Sequence, residues 1–163
     1  MSEKTFEIED LILFILENSK PNMGIKKLNK LAFLLEFAYL FEHQKPLTNA
    51  DFAAIDMGPV INNYKALMER LTQEKKICRN EKADVGMDDY LPLERYKSKD
   101  VDTEAFLKMI LEKYNKLSPK ELETLTHGLD SYNITVHENG GAMGAIIDKD
   151  LALLDYSLST DEL

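Results

Sequence analysis

The chain has 163 residues, a hydrophobic fraction of 44%, and 29 acidic against 20 basic side chains, for a net charge of −9. That length buries one ordinary core without metal or disulfide staples, and the composition excludes a disordered chain, so a single domain over 1–163 is expected. The acidity is lopsided: residues 1–80 carry 11 Lys+Arg and 11 Asp+Glu, residues 81–163 carry 9 and 18.

The lone cysteine, Cys78, has no intramolecular partner, and no charged, apolar leader pattern opens the chain, so a reducing cytoplasm is expected. The longest apolar run, Leu31 to Phe41, holds Glu36 and falls well short of the ~20 residues of a membrane span. The closing Asp161-Glu162-Leu163 and the sequon at Asn133 have meaning only on the secretory route and carry no weight here. Lys20, Lys26, Lys27, Lys30 and Lys45 form a small basic excess, read as a solvated helix end, and no direct nucleic-acid binding is expected.

In chain order, Ile8, Leu11, Ile12, Ile15 and Leu16 form the stripe of an amphipathic helix ending near Asn18, before Lys20-Pro21-Asn22. A second helix, starting near Met23 or Gly24, is apolar on nearly every side, the mark of a helix at the centre of a domain. Ile25, Leu28, Leu31, Ala32, Leu35, Ala38 and Tyr39 make one face. Lys26, Lys30, Phe33, Phe37 and Phe41 make another, and two readings stay open for it: a second core layer with a lysine-solvated end, or a partner-binding groove with a cationic lip.

Phe52 to Asp56 reads as a short strand. Gly58-Pro59-Val60 reads as a strand-to-helix corner, with the helix starting at about Pro59, where a missing N–H costs nothing. Ile61, Tyr64, Leu67, Met68 and Leu71 would bury that helix. Lys76-Ile77-Cys78-Arg79 and Asp89-Tyr90-Leu91-Pro92-Leu93 suggest a β-hairpin, with the proline on an edge. Asp100 to Thr103 offer caps for a helix reaching Leu117, buried through Phe106, Met109, Ile110, Tyr114 and Leu117. Ser118-Pro119-Lys120-Glu121 is a capping box with proline at the first helical position, opening a helix buried by Leu122, Leu125 and Leu129. His127, in its last turn, is placed to satisfy free carbonyls. Asn139 to Gly144 lacks the Gly-Lys-Ser/Thr ending of a phosphate loop and reads as a flexible turn. Leu151, Leu154, Asp155 and Leu158 suggest a short final helix, with a frayed acidic tail over 156–163 and a core over about 8–155.

Catalytic chemistry finds little support. Cys78, His127 and His137 match no zinc or Cys-His spacing, and Asp88-Asp89 sit in turn-like, solvated surroundings. No enzyme, cofactor or metal is expected.

Three blocks together carry a resemblance: KLNKLAFLLEFAYL (Lys27 to Leu40), DFAAIDMGPVINNYKALMERL (Asp51 to Leu71) and LSPKELETLTHGLD (Leu117 to Asp130). The chain resembles the Panacea domain, the SocA-like antitoxin family, over roughly residues 8 to 155. The resemblance implies a mainly α domain around a central buried helix, with a small β-hairpin or short β element, that neutralises a toxin encoded beside it, generally by direct binding. Motif positions carried over are Lys27, Leu31, Gly58, Pro59, Val60 and His127. A partner-binding groove would use Lys26, Lys30, Phe33 and Phe37, with Gly58, Pro59 and Tyr64 fixing its wall. The family commonly has a proline-tryptophan pair after the Leu-Thr-His block; here Ser131-Tyr132-Asn133 stands there, with Tyr132 a candidate substitute. Beyond the toxin, an adaptor role would bring in a protease or chaperone. An effector of a prophage or mobile element that binds a host or defence protein, its acidity mimicking nucleic acid, is the rival reading.

Overall fold

The structure is a computed structural model that describes residues 5–97, 100–138 and 143–160. In chain order the elements are α1 (Ile8–Glu17), α2 (Ile25–His43), β1 (Phe52–Ile55), β2 (Gly58–Ile61), α3 (Tyr64–Gln73), β3 (Ile77–Arg79), β4 (Tyr90–Pro92), α4 (Val101–Asn115), α5 (Pro119–His127) and α6 (Asp130–His137). Two short 3₁₀ helices follow, Lys149–Leu154 and Tyr156–Leu158. The domain is mainly α with two small antiparallel hairpins, β1–β2 and β3–β4.

The all-round apolar helix is the centre, as its pattern predicts: α2 is packed by α1, α4, α5, β2 and both 3₁₀ helices. Every residue from Leu28 to Leu40 is buried. Glu36, 0% exposed, is the most deeply buried of the helix's three buried polar residues, with Asn29 and Lys30, and its carboxylate collects the loop that follows. It accepts from Leu47 N at 2.6 Å, Thr48 N at 3.1 Å and Thr48 Oγ1 at 2.5 Å, with Lys149 Nζ 3.7 Å away. A buried carboxylate is retained where donors and a cation replace its lost water.

Phe33 and Phe37 are 0% exposed. Their rings stack at 4.2 Å, and Phe52 of β1 meets both edge-on at 5.6 and 6.1 Å. The core-layer reading of this stripe therefore holds from Phe33 to Phe37. As direct partner contacts on the folded chain the two phenylalanines are corrected, because β1 covers the face that a groove would have left open.

Gly58-Pro59-Val60 is also corrected. It begins no helix but forms β2, which returns along β1 after the two-residue Asp56-Met57 turn, with Ile55 opposite Gly58 and Ala54 opposite Pro59. Proline's fixed φ suits an edge strand as well as a helix start, so the local signal was ambiguous. Pairing with β1 and burial of all four β2 residues decide it, and the helix waits until Tyr64. The other edge of β1 is covered by a distant stretch, with Ala54 N donating to Ala145 O at 2.9 Å and Ile147 N to Phe52 O at 2.8 Å.

The hairpin expected around Cys78 is β3–β4, with Ile77 opposite Pro92. Asp89 ties it to the α1–α2 connection by accepting from Asn22 N at 2.8 Å and Gly24 N at 3.0 Å. Asp100 caps α4, and Ser118 and Glu121 form the capping box of α5. The buried face of α4 is rotated from the expected one: Leu107 and Leu111 are inside with Ile110 and Tyr114, Phe106 is half-buried, and Met109 is 40% exposed. Two overlapping 3.6-residue stripes run through this helix, and contact with α2 selects between them.

The C-terminal region departs from expectation too. Helix α6 was not anticipated, and Asp155 is buried against it, accepting from Ser131 N at 3.0 Å and Ser131 Oγ at 2.6 Å. Residues 156–160, expected to fray, continue as a 3₁₀ turn with Leu158 buried and Thr160 Oγ1 donating to Glu42. The turn expected at Asn139–Gly144 lies outside the described residues up to Ala142, as does the tail from Asp161. Among the described residues no helix is long and apolar enough to cross a membrane.

Candidate functional site

The site grows from the Asp56-Met57 turn. The chain turns back into β2 through Gly58, whose φ of +109° a glycine adopts without strain. It also lets α5 and α2 approach: a Cβ added there would lie 3.1 Å from Thr126 Oγ1 and 3.4 Å from Lys30 Cε. Thus the glycine of β2, the lysine of α2 and the threonine of the Leu-Thr-His block meet at one point.

The end of α5 and the start of α6 then clamp the turn. His127 reaches out of its own helix, so its expected role is corrected: Nε2 sits 2.9 Å from the Asp56 carbonyl oxygen rather than capping α5. A carbonyl only accepts, so that nitrogen carries the proton. Tyr132 is buried, donates its hydroxyl proton to Ile55 O at 2.6 Å, and packs edge-on against His127 with centroids 4.9 Å apart. Asn133 Nδ2 donates to His127 O at 2.7 Å and Leu129 O at 2.9 Å, fixing the angle between the two helices. Burial, with Asp56 and Glu123 nearby, raises the Tyr132 phenol above its ordinary value, so it stays a proton donor.

Lys30 is the charge at the centre of this arrangement and is 2% exposed. Burial holds its ammonium below the ordinary lysine range; Glu123 partly offsets this and Lys26, one turn earlier and exposed, adds to it.

The other candidate residues are dispersed. Lys27 points elsewhere, donating to Asn115 O at the end of α4 at 2.5 Å, while Leu31 and Val60 are core. Tyr64 opens α3, partly buried against the core. Lys20 and Lys27 line a cleft of about 690 Å³ with Lys116, Glu17 and Glu112, so the small basic excess of the sequence does not form one surface with Lys30. Cys78 lies in β3, His127 at the β1–β2 turn and His137 at the end of α6. Among the described residues no group of three or more His, Cys, Asp or Glu side chains is placed to hold a metal ion.

Sequence reasoning overlooked Thr126, Glu123 and Asp56. Thr126 was in plain view inside the Leu-Thr-His block, fully buried with its hydroxyl donating to Leu122 O at 2.9 Å. Nothing local marked Glu123 or Asp56, whose relevance comes from distant partners.

No curated protein and no solved structure matches the chain. The family model described as antitoxin SocA-like, Panacea domain, matches residues 28–131, a stretch that runs from the first turn of α2 through both hairpins, α3, α4 and α5 to the start of α6. That span contains Lys30, Gly58, Thr126 and His127 and ends one residue before Tyr132. The chain belongs to the SocA-like antitoxin family and carries its Panacea domain.

Proposed function

We propose that this protein is a non-enzymatic antitoxin that neutralises a cognate toxin in the cytoplasm by binding it directly. The observation that carries the reading is the meeting of the family's sequence blocks at the β1–β2 turn. Lys30, Gly58 and the Thr126-His127 pair come from three separate elements within the matched span and converge there. Lys30, Gly58 and Thr126 are buried and hold the turn rigid, and within a family whose role is of the antitoxin type the exposed Asp56 and half-buried Met57 and His127 above them suit recognition of a partner protein. The net charge of −9 would steer a basic toxin toward the chain, raising the rate of encounter more than the final affinity.

The test is growth of cells expressing the adjacent open reading frame, alone and with this protein, followed by co-purification. Toxicity relieved by co-expression, with both proteins recovered as a complex, is the expected result. Relief accompanied by disappearance of the toxin, restored when a host protease is deleted, would replace masking with delivery to that protease. A neighbour that is harmless when expressed alone would overturn the antitoxin reading.

A further inference from the structure

Lys30 is the buried charge that the fold does not explain. An ammonium taken out of water is retained where acceptors repay its lost hydration. The other buried charges among the described residues obey this rule: Glu36 through Leu47, Thr48 and Lys149, Asp155 through Ser131, Asp89 through Asn22, Gly24 and Asn80, and Asp10 through Lys97 N. Lys30 makes no hydrogen bond and no ion pair with any described residue. Every fully buried side-chain nitrogen and oxygen among the described residues has a partner, so Nζ is the part of Lys30 that reaches the surface. The fold thus holds an ammonium with no hydrogen bond or ion pair to a described residue, in the field of Glu123 and beside Gly58.

The neighbouring donors are already committed. Thr126 donates within α5, His127 Nε2 to Asp56 O, and Tyr132 to Ile55 O. Glu123 acts on Lys30 through its field, without an ion pair. We infer that Lys30 is the receptor for one carboxylate of the bound partner, seated where the Asp56-Met57 turn meets the end of α5. A phosphate dianion needs several donors and is repelled by Glu123 more strongly than a singly charged carboxylate, which the three protons of one ammonium can meet. This rests on the reading of the domain as a partner-binding module, and supplies the chemistry of the contact.

The full-length protein is titrated while its lysine ammonium signals are followed by proton-nitrogen NMR, the Lys30 signal being assigned by its loss in Lys30→Met. The probes are N-acetylglycine, which offers a chain-end carboxylate, an N-acetylaspartate α-amide, which offers a side-chain carboxylate, and inorganic phosphate at equal ionic strength. A saturable shift of Lys30 with a carboxylate probe and none with phosphate is expected, and the probe that saturates at lower concentration identifies the source. No saturable shift, or one with phosphate alone, overturns the inference. Lys30→Met should also melt about 3 °C or more higher, since it removes an uncompensated charge. A lower melting temperature would make Lys30 a structural residue and overturn the inference as well. Neither readout involves the toxin, so failure here and failure of the rescue assay are separate results.

Discussion

Replacing Phe33 with alanine tests directly whether the Lys/Phe stripe of α2 is core. The side chain is 0% exposed, stacked on Phe37 at 4.2 Å and met edge-on by Phe52 at 5.6 Å, so its removal leaves a cavity walled by rigid rings. Large-to-small changes of this kind cost about 3–5 kcal/mol, the transfer term plus the cavity term. Against a total stability of about 5–15 kcal/mol that is a large fraction, equivalent to a fall in melting temperature of about 6–20 °C in a chain of this size. Urea unfolding followed by circular dichroism, with the slope against denaturant unchanged, would measure it. A loss below about 1 kcal/mol, or intact stability with abolished partner binding, would refute the packing argument and return Phe33 to the surface.

Three further outcomes are expected. Gly58→Ala should cost about 1–3 kcal/mol, because a side chain at φ +109° is strained and its Cβ would press on Thr126 Oγ1 at 3.1 Å; an unchanged thermal midpoint would contradict this. Glu36→Ala should cost about 3–5 kcal/mol by stranding Leu47 N, Thr48 N and the Thr48 hydroxyl and removing the carboxylate beside Lys149, and a loss under about 1 kcal/mol in chemical denaturation would show that the loop is held by other means. Burial raises the Tyr114 phenol from its ordinary 10.0 to about 12. Between those values the folded chain keeps a proton that the unfolded chain has lost, so stability falls as pH climbs from 10 toward 12, by about 2 kcal/mol for this group. Tyr114→Phe should flatten that alkaline limb, and identical pH profiles for the two proteins would remove Tyr114 as a cause.

Local chemistry determined a good part of this fold. Capping by Asp100 and by Ser118 with Glu121, the break at Lys20-Pro21 and the stripe of α1 depend on neighbours a few residues away, and each is found where the sequence puts it. The central position of α2 was legible for a related reason, since a helix apolar on every side has nowhere else to go. The same all-round pattern, however, has no direction, so it could not tell whether Phe33 and Phe37 face β1 or a partner. Proline's φ is common to a helix start and an edge strand, so Gly58-Pro59-Val60 needed β1 alongside before it became β2. Lys30, Thr126 and Tyr132 lie up to about a hundred residues apart along the chain, and no local rule relates them. The sequence by itself determined α1, α2, α4 and α5, the caps of α4 and α5, and the family, but not α6 or the start of α3. Tertiary packing alone decided which faces are inside and that one lysine ends beside Gly58 and Thr126, because burial and electrostatics depend on what distant elements bring, whereas propensity and capping are complete within a turn.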